Sequence, residues 1–212
     1  MINNFVDKII YINLDRRPDR RREIEQELNN FDLSYERFTA IDYPEFGIYG
    51  CGMSHLNVLK LAKERQYKNV LIMEDDFKFI VSKNEFDETI NSLFREPTDN
   101  KDNQTNRFDV CMFSYIIEKQ EPINNFSNFN RAISATTASG YLVQSHYYDT
   151  LIDLYSHYIP LLLETRKHWN YANDQIWKKL QIKDKWLISN KRIGIQRPSF
   201  SDNSNCFQEY NY

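Results

Sequence analysis

Asn69-Val70-Leu71-Ile72-Met73-Glu74-Asp75-Asp76-Phe77 decides the fold. Its consecutive apolar residues, Val70 to Met73, read as a strand buried on both faces, as in a parallel sheet. The run ends in three acids. In open α/β sheets, ligands bind beyond the carboxyl ends of the strands, where these acids would lie. Alternation along an extended strand sends Glu74 and Asp76 one way and Asp75 the other. Crowded carboxylates repel, and keeping them ionised in a partly buried site calls for a cation. Oxygen-only donors suit Mg²⁺, Mn²⁺ or Ca²⁺ rather than zinc or copper. A solvated acidic strand end is the plainer reading of the triplet alone, so the flanking segments have to decide.

Upstream, Lys8 to Leu14 reads as a central strand that breaks at Asp15-Arg16-Arg17-Pro18. Pro18 suits the first turn of a helix, which Ile24 and Leu28 continue at i, i+4 spacing. This β-loop-α unit sets Asn13, Asp15, Arg16, Arg17 and Arg20 around a strand end, where nucleotide phosphates could be held. A solvated basic face is the alternative, and about two of the four arginines from Arg16 to Arg21 can face a crevice at helical spacing. Tyr35 to Ala40 is a short second strand. After it, Gly47, Gly50 and Gly52 bring three of the five glycines into one segment, read as a tightly turned loop. Met53-Ser54-His55-Leu56 then opens a helix, with Ser54 placed to cap it or to meet an anion. Neither a G-x-G-x-x-G nor a Walker pattern is present.

Composition sets the outer bounds. The 212 residues suit one domain with a core that needs no staples. Hydrophobic residues at 41% and charged residues at 27% describe an ordinary globular chain. A net charge of −3 gives no electrostatic case for nucleic acid or an anionic membrane as partner. Cys51, Cys111 and Cys206 match neither a zinc spacing nor a disulfide framework, which favours a reducing compartment. The N-terminal residues lack a signal-peptide core and no apolar run reaches membrane-spanning length. The expectation is a cytoplasmic protein, or one of the host cytoplasm if the source is viral.

Further along, residues 97–107 read as a polar loop and Phe108 to Phe113 as a buried strand. Residues 118–131 are polar, Asn-rich and broken by Pro122, as in a lid or an insertion. Thr136 to Val143 reads as one strand with Gly140 near its middle, a sign of close approach. Tyr147 to Leu163 carries helical periodicity. His146, His157 and His168 are scattered and read as surface or structural. Asp174 follows Trp169 and Tyr171 and opens a helix, either as its N-cap or as an acid facing a cleft. Asp184 to Ser189 and Arg192 to Gln196 are late short strands.

Taken together, Tyr11-Ile12-Asn13-Leu14-Asp15-Arg16-Arg17-Pro18-Asp19-Arg20, Arg37-Phe38-x-Ala40, Gly50-Cys51-x-x-Ser54-His55 and Glu74-Asp75-Asp76 resemble glycosyltransferase family 25. That family includes lipopolysaccharide-biosynthesis enzymes and procollagen galactosyltransferases. Ala138 to Val143 and Ile195 to Asp202 look like its later blocks. The resemblance implies an α/β fold of the GT-A type, a mostly parallel central sheet with helices on both faces. It implies a single domain over residues 1–212, with a donor half at 1–80 and an acceptor half at 108–212.

By the same resemblance, the expected chemistry is transfer of a sugar, with inversion, from a UDP-sugar to a hydroxyl of a glycan or a hydroxylysine-type protein acceptor. Mn²⁺ or Mg²⁺ is the expected cofactor. Glu74 and Asp76 are the expected metal ligands, and Asp202 stands in for the late histidine that GT-A enzymes often supply, with Gln196 or water as alternatives. Asn13, Arg16, Arg20, Ser54, His55 and Asp75 are expected around the nucleotide. Asp174 is the expected catalytic base, on the acceptor side. The competing reading is a catalytically inactive GT-A-fold module that binds sugar or protein without turnover. A nucleotide-sugar hydrolase or metal-dependent phosphoesterase would want more His or Asp ligands than this cleft supplies.

Overall fold

The computed structural model describes residues 2, 5–95, 108–124, 126–201 and 206–208, apart from the side chains of residues 200 and 201. The N-terminal units are β1 (Lys8–Asn13), α1 (Pro18–Asn30), β2 (Tyr35–Thr39), α2 (Gly47–Glu64) and β3 (Asn69–Glu74). There follow β4 (Phe77–Phe79), α3 (Lys83–Arg95), β5 (Val110–Met112), β6 (Ile116–Pro122), β7 (Phe129–Thr136) and β8 (Gly140–Gln144). A 3₁₀ turn at Ser145–Tyr147 leads into α4 (Tyr148–Thr165), then the short α5 (His168–Tyr171), α6 (Asn173–Ile176) and α7 (Lys178–Gln181). The chain closes with β9 (Trp186–Ser189), β10 (Gly194–Gln196), β11 (Ser199–Ser201) and β12 (Cys206–Gln208).

Eight strands form the central sheet in the order β2-β1-β3-β8-β5-β9-β7-β6. All but β8 and β7 run in one direction, so six of the eight strands share it. Period-2 alternation divides the core between the two faces. Ile10, Ile12, Val70 and Ile72 pack on one side with Leu59 of α2 and Leu151 and Tyr155 of α4. Ile9, Tyr11, Leu71 and Met73 pack on the other with Ile24 and Leu28 of α1 and Phe86 and Ile90 of α3. Residues 70–73 are fully buried, as a run apolar on both faces requires.

Local expectations differ from the structure at three places. Gly47, Gly50 and Gly52 lie in the first turns of α2 and not in a loop. A Cβ on Gly50 would sit 2.4 Å from the Ile41 carbonyl oxygen, so the glycine lets the β2–α2 connection lie against the helix. The stretch from Thr136 to Val143 is two strands, β7 and β8, joined through Thr137 at φ 81°. Residues 118–131 supply the edge strand β6 and the start of β7; the outer face of β6 is charged and exposed, and Pro122 ends it, which blunts the edge. The 97–107 loop lies outside the described residues.

Candidate active site

The three acids stand where β3 ends. The strand stops at Glu74 and the chain turns through Asp75 and Asp76 before β4, so alternation fails for the last two positions. All three acids consequently line one cleft, together with Arg16, Arg17 and Arg20. Arg20 bridges the pair, with Nη1 3.0 Å from Asp75 Oδ1 and 3.3 Å from Asp76 Oδ2. Its Nη2 donates to Ser199 Oγ at 2.6 Å, which ties α1 to the late β11. Asn13, fully buried at the end of β1, donates to Asp75 Oδ2 at 2.7 Å and accepts from Arg37 Nε at 3.0 Å. On the far side β10 pairs antiparallel with β4, and Gln196 Nε2 donates to Asp76 Oδ2 at 3.1 Å.

Electrostatics separate the three carboxyls. Burial works to raise Glu74, but His55, Cys51 and Arg20 outweigh it and hold Glu74 below its ordinary value. Asp75 is raised by burial, with Arg20 and Asn13 opposing. Asp76 is pushed up to about 7 by burial and by the charge of Glu74. Its Oδ1 is buried without a hydrogen-bond partner.

Glu74 also belongs to a second arrangement. His55 Nε2 lies 2.9 Å from Glu74 Oε1, His55 Nδ1 lies 2.8 Å from the Tyr141 hydroxyl, and the Cys51 thiol donates to the same Glu74 oxygen at 3.5 Å. Cys51 and His55 sit four residues apart on one face of α2, aimed at the end of β3. That i, i+4 spacing was present in the sequence, yet Cys51 was read only with the other two cysteines and as part of the Gly50-Cys51-x-x-Ser54-His55 motif, never as a partner of Glu74. Tyr141, on β8 and hydrogen-bonded to the ring of His55, lies in the Ala138 to Val143 block, but nothing in that block pointed to His55.

Beyond Glu74 opens a larger cavity of about 500 Å³. Its walls include Asp174, Asn173, Thr137, His168 and Trp169, and it shares Cys51, Glu74 and Gln196 with the acid-lined cleft. Asp174 is not the N-cap of α6; Ala172 holds that place, and Asp174 Oδ2 accepts from the Thr137 amide at 3.1 Å. Burial raises its carboxyl above the usual range, the Thr137 bond opposing. Trp169 is 62% exposed at the rim.

The expected nucleotide residues divide. Asn13, Arg20 and Asp75 form one hydrogen-bonded cluster, and Arg16 lines the cleft while pairing with Asp42 at 3.1 Å. Ser54 neither caps a helix nor offers its hydroxyl outward, because it bonds the Gly50 carbonyl and the Ile41 amide. His55 is fully buried behind Glu74, where it positions that carboxylate. Asp202 lies outside the described residues, whereas Gln196, the alternative, reaches Asp76.

Comparison with known proteins adds the following. A sequence profile described as "Glycosyltransferase family 25 (LPS biosynthesis protein)" matches residues 46–177. Curated proteins of Drosophila melanogaster and Drosophila pseudoobscura pseudoobscura, both named "Glycosyltransferase 25 family member", are 31% and 30% identical. Each match covers 35% of this chain and 16% of the fly protein, so the chain spans a small part of the length of these relatives. The crystal structure of a glycosyltransferase involved in the glycosylation of the major capsid of PBCV-1 superposes with a TM-score of 0.51. It is 10% identical, over 93% of this chain and 95% of that one, a likeness of fold.

Proposed function

The chain belongs to glycosyltransferase family 25 and has an α/β fold of the GT-A type, and from that premise we propose that it transfers a sugar from a UDP-sugar to a hydroxyl of a glycan or protein acceptor, with inversion. One observation carries the reading. A cleft lined by arginines and acids and a larger cavity holding a carboxylate meet at Glu74, Cys51 and Gln196. A transferase needs two substrates to approach one point from different sides, and a cleft-and-cavity pair with a common wall provides that. Residues 1–80 then serve the donor and residues 108–212 the acceptor.

The donor set fits a hard divalent cation. Asp76 Oδ1 is buried and without a partner, in the cleft that Glu74 and Asp75 also line. Arg20 offsets one of the three negative charges, and a divalent ion balances the remaining two. Glu74 and Asp76 would hold it, with Gln196 at hand. When bound, Mn²⁺ or Mg²⁺ neutralises charge on the departing diphosphate. Arg16 at the rim of the cleft adds a charge-assisted hydrogen bond to phosphate.

On the other side Asp174 takes the proton of the acceptor hydroxyl as that oxygen attacks the sugar. The Thr137 amide fixes the orientation of its carboxylate, and its raised basicity suits the task. Trp169 offers an exposed ring on which an acceptor sugar can stack. A panel of UDP-sugars, assayed for UDP release with glycan and hydroxylysine acceptors and with Mn²⁺ or EDTA, tests the reading. Metal-dependent release that requires acceptor supports it. UDP binding without release under any acceptor points instead to a binding module.

A further inference from the structure

Glu74 stands between two donor sets of different chemical character. Toward Asp75 and Asp76 the anionic donors are carboxylate oxygens. Toward α2 the donors are the thiol of Cys51 and the imidazole of His55. One atom from each of Cys51, His55 and Glu74 can be chosen so that all lie within 4.8 Å of one another. We propose that these three residues form a site for a thiophilic divalent cation, Zn²⁺ in chemical type, which occupies the junction of the two cavities and blocks turnover.

Geometry supports the site. Tetrahedral zinc bonds of about 2.0–2.3 Å separate neighbouring ligand atoms by roughly 3.3–3.7 Å. The Cys51–Glu74 separation of 3.5 Å already lies in that range, and the His55–Glu74 separation of 2.9 Å needs to open by a few tenths of an ångström. The remaining Cys51–His55 distance, within 4.8 Å, closes by at most about 1.1–1.5 Å, across one turn of a single helix. The ring of His55 is already oriented. Tyr141 sits 2.8 Å from Nδ1, so an Nδ1–H can donate to the phenol oxygen while Nε2 presents its lone pair to the ion. Three protein ligands leave a fourth position, and Cys51 and Glu74 both face the cavities from which water or a substrate oxygen can reach it.

Sulfur and imidazole donors select this ion over Mn²⁺ or Mg²⁺. On binding, the Cys51 thiol gives its proton to solvent and the thiolate sulfur bonds the metal, while Glu74 exchanges its contacts to His55 and Cys51 for the same ion. Glu74 is thereby withdrawn from the oxygen cluster. The binding claim stands apart from the proposed transferase reaction; the inhibitory consequence rests on it.

The test is a Co²⁺ titration of the full chain, followed in the near-ultraviolet thiolate-to-cobalt charge-transfer band and in the visible bands of tetrahedral cobalt. The expected result is a band that saturates, that Zn²⁺ bleaches, that Cys51→Ser abolishes and that Cys206→Ser leaves intact. Absence of the band in the unaltered protein, or its survival in Cys51→Ser, overturns the proposal. Should Cys51→Ser fail to fold, Glu74→Gln takes its place. It is expected to need at least tenfold more Co²⁺ for half-saturation, and an unchanged midpoint overturns the proposal. A protein that shows the band, yet shows no transfer activity once freed of Co²⁺ and supplied with Mn²⁺, refutes the transferase reading alone. One that transfers sugar and shows no band refutes the zinc-type site alone.

Discussion

Asp174 and an asparagine in its place differ by one proton-accepting oxygen, which makes the residue testable without disturbing the fold. Asn keeps an oxygen for the Thr137 amide but cannot take a proton. Asp174→Asn is expected to lower kcat by at least about 100-fold, the scale of general-base catalysis, with melting temperature and UDP affinity unchanged. Near-normal turnover removes Asp174 from the role. Its raised carboxyl also fixes the pH profile. The base form is lost as pH falls through that raised value, so the acid limb of kcat should lie above the ordinary aspartate value of about 4. For stability the sign is opposite: ionising a carboxyl whose native value is raised costs stability as pH rises beyond the unfolded value.

Arg20 is the second residue whose removal is informative. It stands between two nearly buried acids, and Arg20→Met leaves both uncompensated. A loss of about 3–5 kcal/mol is expected in urea unfolding of the metal-free protein near neutral pH. The loss should shrink at pH 5, where Asp76, pushed up to about 7, takes a proton and the repulsion eases. An equal loss at both pH values contradicts the assignment of charge. The acids themselves were legible in the sequence, and so was the arginine run. Which acid faces which partner was not, because alternation holds only while the strand continues, and the strand ends at Glu74.

Among elements, the antiparallel pair of β4 and β10 is what brings Gln196 to the acids. The ring of Phe77 makes that pairing possible only because its neighbours lack side chains. A Cβ on Gly194 would lie 2.2 Å from the ring and one on Gly140 would lie 2.5 Å from it. Gly194→Ala is expected to cost about 1–3 kcal/mol by overpacking and to weaken any Mn²⁺-induced rise in melting temperature. Gly52→Ala is the matched control. Its Cβ meets only Ile159 at 3.4 Å, and within α2 alanine is the better helix former by about 1 kcal/mol. Unchanged or raised stability is expected there, and a comparable loss in both variants contradicts the steric account. The sequence showed that the glycines mattered without showing how. Clustered glycines read as a loop because the steric reason for Gly50, close approach by the Ile41 carbonyl, lies outside the helix.

For the whole molecule, β1, α1, β3 and α2 from Met53 onward were readable because periodicity and Pro18 are local signals. The order of the later strands was not. β8 runs against β3 and β5 and sits between them, a placement fixed by long-range pairing that no segment announces. That placement also sets Tyr141 behind His55 and lets the chain after β7 return Asp174 to face Glu74 across the second cavity. Among the described residues, no helix is long and apolar enough to cross a membrane. The central claim is that donor and acceptor meet at this junction, with Glu74 and Asp76 serving the donor and Asp174 the acceptor. It is tested most directly by measuring acceptor-dependent UDP release from UDP-sugars in the unaltered protein, in Asp76→Asn and in Asp174→Asn, each with Mn²⁺ and with EDTA. The account predicts release only from the unaltered protein with Mn²⁺, Mn²⁺-dependent UDP binding that is lost in Asp76→Asn, and the same binding retained in Asp174→Asn. Full release in EDTA, or undiminished release from Asp174→Asn, would contradict it.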